Sequence, residues 1–163
     1  MLKLPKGVLA HPKIAAIEAL FSANLSLLRP EGKLKVPHWK FDAGLGKALT
    51  AVAAMSHLIP GLEAASKSLG RERQGLELLV TKAGQTQNPR LSRLLLLSND
   101  GSERFYHDAE SLLLQYTGRL LGCVLDATSE DLGALLLPPQ KIAKALMIED
   151  RKVLEHFLVA LVG

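Results

Sequence analysis

The stretch PGLEAASKSLGRER, residues 60–73, holds two glycines, two carboxylates and three cations, the cations at spacings suited to gripping an anion. Lys67 and Arg71 are four residues apart, hence neighbours on one helical surface, and Arg73 follows at the same end. Cations so placed gain affinity for nucleic acid by releasing counterions from phosphates. Pro60-Gly61 breaks the helical pattern just before these groups, and glycine tolerates backbone conformations that other residues avoid. The same side chains also suit a solvated helix surface.

Two further groups have chemistry-bearing spacing. In GKLKVPHWKFD, Lys33, Lys35 and Lys40 interleave with Trp39 and Phe41, as a base-stacking platform with phosphate-binding cations would. The rings can equally staple an arm onto the core. Asn99, Asp100 and Ser102 follow an apolar run, where open α/β sheets bind ligands at strand ends. Asp100-Gly101-Ser102-Glu103 also has the spacing of a capping box, and Gly101 suits either role.

No catalytic residue, metal site or cofactor is assigned. His11, His38, His57, His107 and His156 show no HExxH pattern and no repeated ligand spacing. No GxSxG elbow, Walker loop or GxGxxG occurs. The acidic residues of SEDL and IEDR read as first-turn helix charges, and Cys123 in LLGCVLD reads as a packed core thiol.

The elements that must position these groups follow from composition and periodicity. With 163 residues, 48% hydrophobic and 4% aromatic, the chain suits one domain whose core is filled by aliphatic side chains. No apolar run approaches the roughly 18 residues of a membrane span, so a cytoplasmic protein is expected. The net charge of +4 is uneven: residues 1–47 hold eight Lys/Arg against three Asp/Glu, whereas 101–163 hold six against nine. That asymmetry suits an anionic partner such as RNA.

Pro12 and the spacing of Ile14, Ile17, Leu20, Phe21, Leu25 and Leu28 predict a helix stopped at Arg29-Pro30-Glu31-Gly32. Lys33–Val36 reads as a short edge strand or arm before Pro37. Asp42 is the expected N-cap of a helix running to Leu58, and a short helix restarts after Pro60-Gly61 and ends at Gly70. A turn or two of helix and a polar loop fill 71–92. Beyond it, strands at 93–98, 119–126 and 143–150 alternate with helices at 102–116, 129–137 and 150–161. The expected fold is α/β, with domains at 1–43, a helix and basic arm, and 44–163, with an insertion near 71–92.

In this order, ALTAVAAMSHLIP, GLEAASKSLGRE, LLLLSND, SERFYHDAESLLLQY, LLGCVLD, SEDLGALL, AKALMIED and RKVLEHFLVAL resemble the kink-turn RNA-binding ribosomal family. This is the L-seven-Ae and L-thirty-e type, including bacterial Ylx-type relatives, and the match spans about residues 44–163. The resemblance implies a three-layer α-β-α sandwich whose short strand, glycine and lysine-bearing helix grip RNA. The family turn reads like G-x-N-E-x-x-K; Gly61 and Lys67 keep its spacing, while Glu63 replaces the Asn and Ala64 the Glu. The amino-terminal 43 residues have no counterpart in it.

Three functional readings follow. The first is a non-enzymatic domain that binds structured RNA, ribosomal RNA included, through Gly61, Glu63, Lys67, Arg71 and Arg73, with Lys33, Lys35, Trp39 and Lys40 extending the footprint. The second is an assembly module that docks a protein partner, or a second copy, through the apolar face of IAAIEALFSANLSLL. The third is a small enzyme with its site at Asn99, Asp100 and Ser102.

Overall fold

Leu94–Leu97 and Ala145–Ile148 carry no polar side chain to face water, a pattern that suits a sheet covered on both faces. The computed structural model describes residues 3–83 and 90–163, with 75–83 described by backbone alone, and puts both runs inside such a sheet. In chain order the elements are α1 (Lys6–Leu9), α2 (Ile14–Ser22), β1 (Ser26–Leu27), β2 (Lys35–Val36), β3 (His38–Trp39), α3 (Ala43–Ala54) and β4 (Leu58–Pro60). Then come α4 (Leu62–Ala83), β5 (Arg93–Leu97), α5 (Glu103–Gln115), β6 (Leu120–Leu125), α6 (Ser129–Gly133), β7 (Ala145–Ile148) and α7 (Arg151–Val162).

β1 and β2 form a small antiparallel hairpin, and the main sheet has the order β3-β6-β5-β7-β4. β3, β6 and β5 are parallel, while β7 runs antiparallel to both β5 and β4. Strand periodicity divides the core. Leu94, Leu96, Leu146 and Ile148 pack with α1, α2, α3 and α7; Leu95, Leu97, Ala145 and Met147 pack with α4, α5 and the hairpin. The result is the expected α-β-α layering. Cys123 is fully buried, which pushes its thiol pKa well above the ordinary range.

Residues 3–43 are tied into this sheet. β3 pairs with β6, and Leu4, Val8, Ile17 and Phe21 share one core cluster with Leu154 and Phe157 of α7. Of the apolar face read in IAAIEALFSANLSLL as a docking surface, Ile17 and Phe21 are buried in the cluster with the chain's own closing helix, whereas Leu25 and Leu27 stay exposed.

Several element boundaries differ from expectation: the helix expected to run to Leu28 ends at Ser22, Asn24 takes a φ of +52°, and Ser26–Leu27 form β1. The helix expected to reach Leu58 ends at Ala54; Ser56 takes a φ of +62°, and Leu58–Pro60 form β4 on the outer edge of β7. Pro60 is tolerated there because an edge strand has one side without a ladder partner. Gly70 does not end its helix, which continues to Ala83. Just past Gly70, Glu72 accepts from Ser92 Oγ at 3.1 Å and meets Arg93 at 3.3 Å, tying the second half of α4 to the start of β5. A mid-helix glycine costs only about 1 kcal/mol, which anchoring of that kind can offset. Residues 84–89, the core of the expected polar loop, lie outside the described residues.

Glu110 of α5 holds the β1–β2 hairpin. Its carboxylate accepts from the amides of Lys33 and Leu34, both at 3.2 Å, and from Arg29 Nε at 3.2 Å. Burial pushes its pKa upward, yet these donors outweigh burial and hold it below the ordinary 4.5. A depressed folded pKa stabilises fully above the unfolded value, and that contribution is lost as pH falls through the folded value. Glu110→Gln is therefore expected to lower stability at pH 7 by roughly 2 kcal/mol, by analogy with other hydrogen bonds to charged groups. Thermal melts should show the gap from wild type closing as pH drops below 4.5; a gap independent of pH would contradict this role for the carboxylate.

Candidate nucleic-acid interface

Because β7 is antiparallel to both neighbours, β4 points the same way as β5, β6 and β3. The carboxyl ends of these strands share one rim, and each leads into a helix that starts there: α3, α4, α5 and α6. Strand-end rims of this kind collect helix amides and loops, which is why open α/β sheets bind ligands at them.

Gly61 joins β4 to α4 with a φ of +88°. Its amide donates to Ala145 O at 2.8 Å and its carbonyl accepts from Ala65 N at 3.2 Å. A Cβ at this position would meet no atom within 4 Å, so backbone sign rather than space calls for glycine. Beyond it, Ala65 and Leu69 face the core, while Glu63 and Lys67 point to solvent with side chains 88% and 72% exposed. The two form an i,i+4 pair at 3.6 Å. A pair so exposed contributes little and exchanges readily with another partner.

Arg71 and Arg73 do not cluster with that turn. At a rise of 1.5 Å per residue, ten residues of α4 carry Arg71 about 15 Å from Gly61. Both are exposed, and the Arg73 guanidinium lies 5.9 Å from the centroid of the Tyr116 ring, a cation–π contact.

Lys33, Lys35 and Lys40 are also exposed. Lys33 and Lys35 belong to the hairpin, whereas Lys40 follows β3 and so stands on the strand-end rim, at the opposite sheet edge from Gly61. Trp39 corrects the stacking-platform expectation. It is 8% exposed, its Nε1 donates to Leu20 O at 2.8 Å, and its ring packs against Phe21 with centroids 5.8 Å apart. The indole is a core staple with no open face for a base.

The loop after β5 closes on itself. Asn99 Nδ2 donates to Asp126 Oδ1 at 3.1 Å, and Gly101 N donates to Tyr106 Oη at 3.0 Å. Tyr106 Oη in turn donates to Ser98 O at 2.6 Å. The expected box from Asp100 to Glu103 is not formed: Ser102 caps α5 through Phe105 N at 3.1 Å. Asp100 reaches across to α6, accepting from Ser129 N at 3.1 Å and Ser129 Oγ at 2.9 Å. Burial raises its pKa, but hydrogen bonds, those from Ser129 foremost, more than compensate and hold it below the ordinary value. A reciprocal box does cap α6, between Thr128 and Asp131.

A second set of cations lies at the opposite end of the sheet, at Lys6, Arg90, Arg93, Arg119, Arg151 and Lys152. These positions are scattered in sequence. Apart from Lys6, on α1, their common signal is placement at strand ends: before or at the start of β5, before β6, and after the antiparallel β7.

No family model matches the chain, and no curated protein sequence matches it. A Bacillus halodurans protein of unknown function is similar in structure, with a TM-score of 0.49 at 14% identity over 75% of this chain and 100% of its own. A Giardia lamblia protein described as a 15.5kD RNA binding protein gives a TM-score of 0.48 at 12% identity, over 74% of this chain and 82% of its own. Likeness at this level transfers no residue role.

The Gly61 turn makes a direct prediction. Gly61→Ala should destabilise the fold by about 1–2 kcal/mol, the cost of placing a side-chain-bearing residue in a left-handed conformation. Denaturant unfolding measures this; unchanged stability would contradict the left-handed turn.

Proposed function

We propose that the chain is a non-enzymatic RNA-binding domain whose contact surface is the strand-end rim, centred on Gly61 and the first turns of α4. The observation that carries the reading is the succession β4, left-handed Gly61, then a helix bearing exposed Lys67. It is the arrangement that the resemblance to the kink-turn RNA-binding ribosomal family implies.

The chemistry is consistent with phosphate contact. The first amides of α4 have no intrahelical acceptor, and Gly61 has no side chain to satisfy them. Lys67 is one to two turns further along, ready to exchange Glu63 for a phosphate. Much of the acidity at this rim is already committed: Asp42 to Leu45 N, Asp100 to Ser129, Asp126 to Asn99 and Asp131 to Thr128 N. Glu63 would meet a base edge. Arg71 and Arg73 would reach phosphates further along α4, and Lys40 would meet the strand across the rim. Lys33 and Lys35, on the hairpin, would extend the footprint.

Fluorescence anisotropy with a structured RNA across a salt series tests this. Lys67→Gln should weaken binding and reduce the slope of log affinity against log salt by about one. Glu63→Gln keeps an acceptor for the base edge while removing a negative charge from the phosphate path, so it should tighten binding. Affinity unchanged in both variants, or weakened by Glu63→Gln, would overturn the assignment of this rim.

A further inference from the structure

At the far end of the sheet from Gly61, the starts of β5 and β6 and the end of β7 border a cleft of about 700 Å³. We propose that this cleft is a binding site for an oligophosphate group. It is distinct from the proposed RNA rim and does not depend on it.

Among the described residues, six cationic side chains line the cleft against two carboxylates, Glu72 and Asp150. Both carboxylates are committed. Glu72 accepts from Ser92 Oγ at 3.1 Å and lies 3.3 Å from Arg93 Nη2 and 3.9 Å from Arg119 Nη1. It therefore positions two guanidinium groups that are 17% and 21% exposed. Asp150 caps α7, accepting from the amides of Lys152 at 2.8 Å and Val153 at 3.1 Å.

The remaining cations have little local compensation. Arg90 reaches Leu4 O at 3.4 Å, and Arg151 is 3.9 Å from Glu155 with its side chain 59% exposed. Among the described residues, Lys6 and Lys152 form no ion pair. Arg93 Nε is buried and has no hydrogen-bond partner. Like charges brought together in a partly desolvated cleft repel one another unless an anion joins them.

The ligand class follows from charge, shape and lining. Guanidinium forks match phosphate oxygens, and two of them are held in place here before any ligand arrives. The excess of positive charge exceeds what a monoanion answers, and a volume near 700 Å³ exceeds a single phosphate. Among the described residues no aromatic ring lines the cleft to stack a base, so recognition rests on the phosphates. Free pyrophosphate and the tail of a nucleoside triphosphate share this chemistry.

The test is thermal unfolding of the full chain with sodium pyrophosphate, against sodium sulfate at equal ionic strength, repeated with adenosine triphosphate. Pyrophosphate should raise Tm in a saturable way that sulfate does not reproduce. The double variant Lys6→Gln/Lys152→Gln, whose side chains hold no part of the core, should need at least tenfold more pyrophosphate for the same shift; Lys47→Gln, exposed and outside the cleft, should respond as wild type does. A matching shift with adenosine triphosphate assigns the site to nucleotide tails, and none assigns it to free oligophosphate. No pyrophosphate shift, an equal shift with sulfate, or an unaltered response in the double variant would overturn the site. Circular dichroism without ligand separates a misfolded variant from a binding-deficient one.

Discussion

The backbone ladders on either side of β7 are what the rest of the molecule depends on. Ala145, Leu146, Met147 and Ile148 are fully buried between two helical layers, and their antiparallel pairing joins β5 on one side to β4 on the other. Without that strand, β4 would have no partner and Gly61 no anchor, since the Gly61 amide donates to Ala145 O. The ladder also sets polarity. By reversing direction between β5 and β4, β7 lines up the carboxyl ends of all the other strands of the main sheet on a single rim.

That polarity sorts charge. At the strand-end rim four helices begin, and their positive amide ends attract the caps found there: Asp42, Ser102, Thr128 with Asp131, and Asp100 reaching across to Ser129. At the opposite rim α5 ends, where its negative carbonyl end favours cations such as Arg119, whose amide donates to Tyr116 O. The helix field accounts for some of the arginines in the cleft. The half-charge of a helix end falls well short of six cations set against two committed carboxylates. One rim thus offers amides and a lysine beside a left-handed glycine, the other a preset pair of guanidinium groups.

Much of the scaffold was legible in the residues. The runs at 94–97, 120–125 and 145–148 are apolar because both sheet faces are covered, and Asp42 caps α3 through a hydrogen bond that its type and position announce. What escaped reading depends on partners distant in sequence. β4 is three residues long, with too little periodicity to mark it, and exists because β7 presents an edge. α4 continues past Gly70 because Glu72 finds Ser92 and Arg93 some twenty residues later. Trp39 was ambiguous because an indole serves a core and a base equally well; the carbonyl of Leu20 decides it. The cationic cleft draws on positions from Lys6 to Lys152 and emerges only when strand direction is known.

The central claim is that the strand-end rim at Gly61 meets RNA, and backbone amide hydrogen exchange with and without a structured RNA tests it most directly. The account predicts RNA-dependent slowing at residues 61–67 and in the loop at 99–102, with the hairpin at 26–36 less affected. Slowing confined to residues outside this rim, or none at saturating RNA, would contradict it.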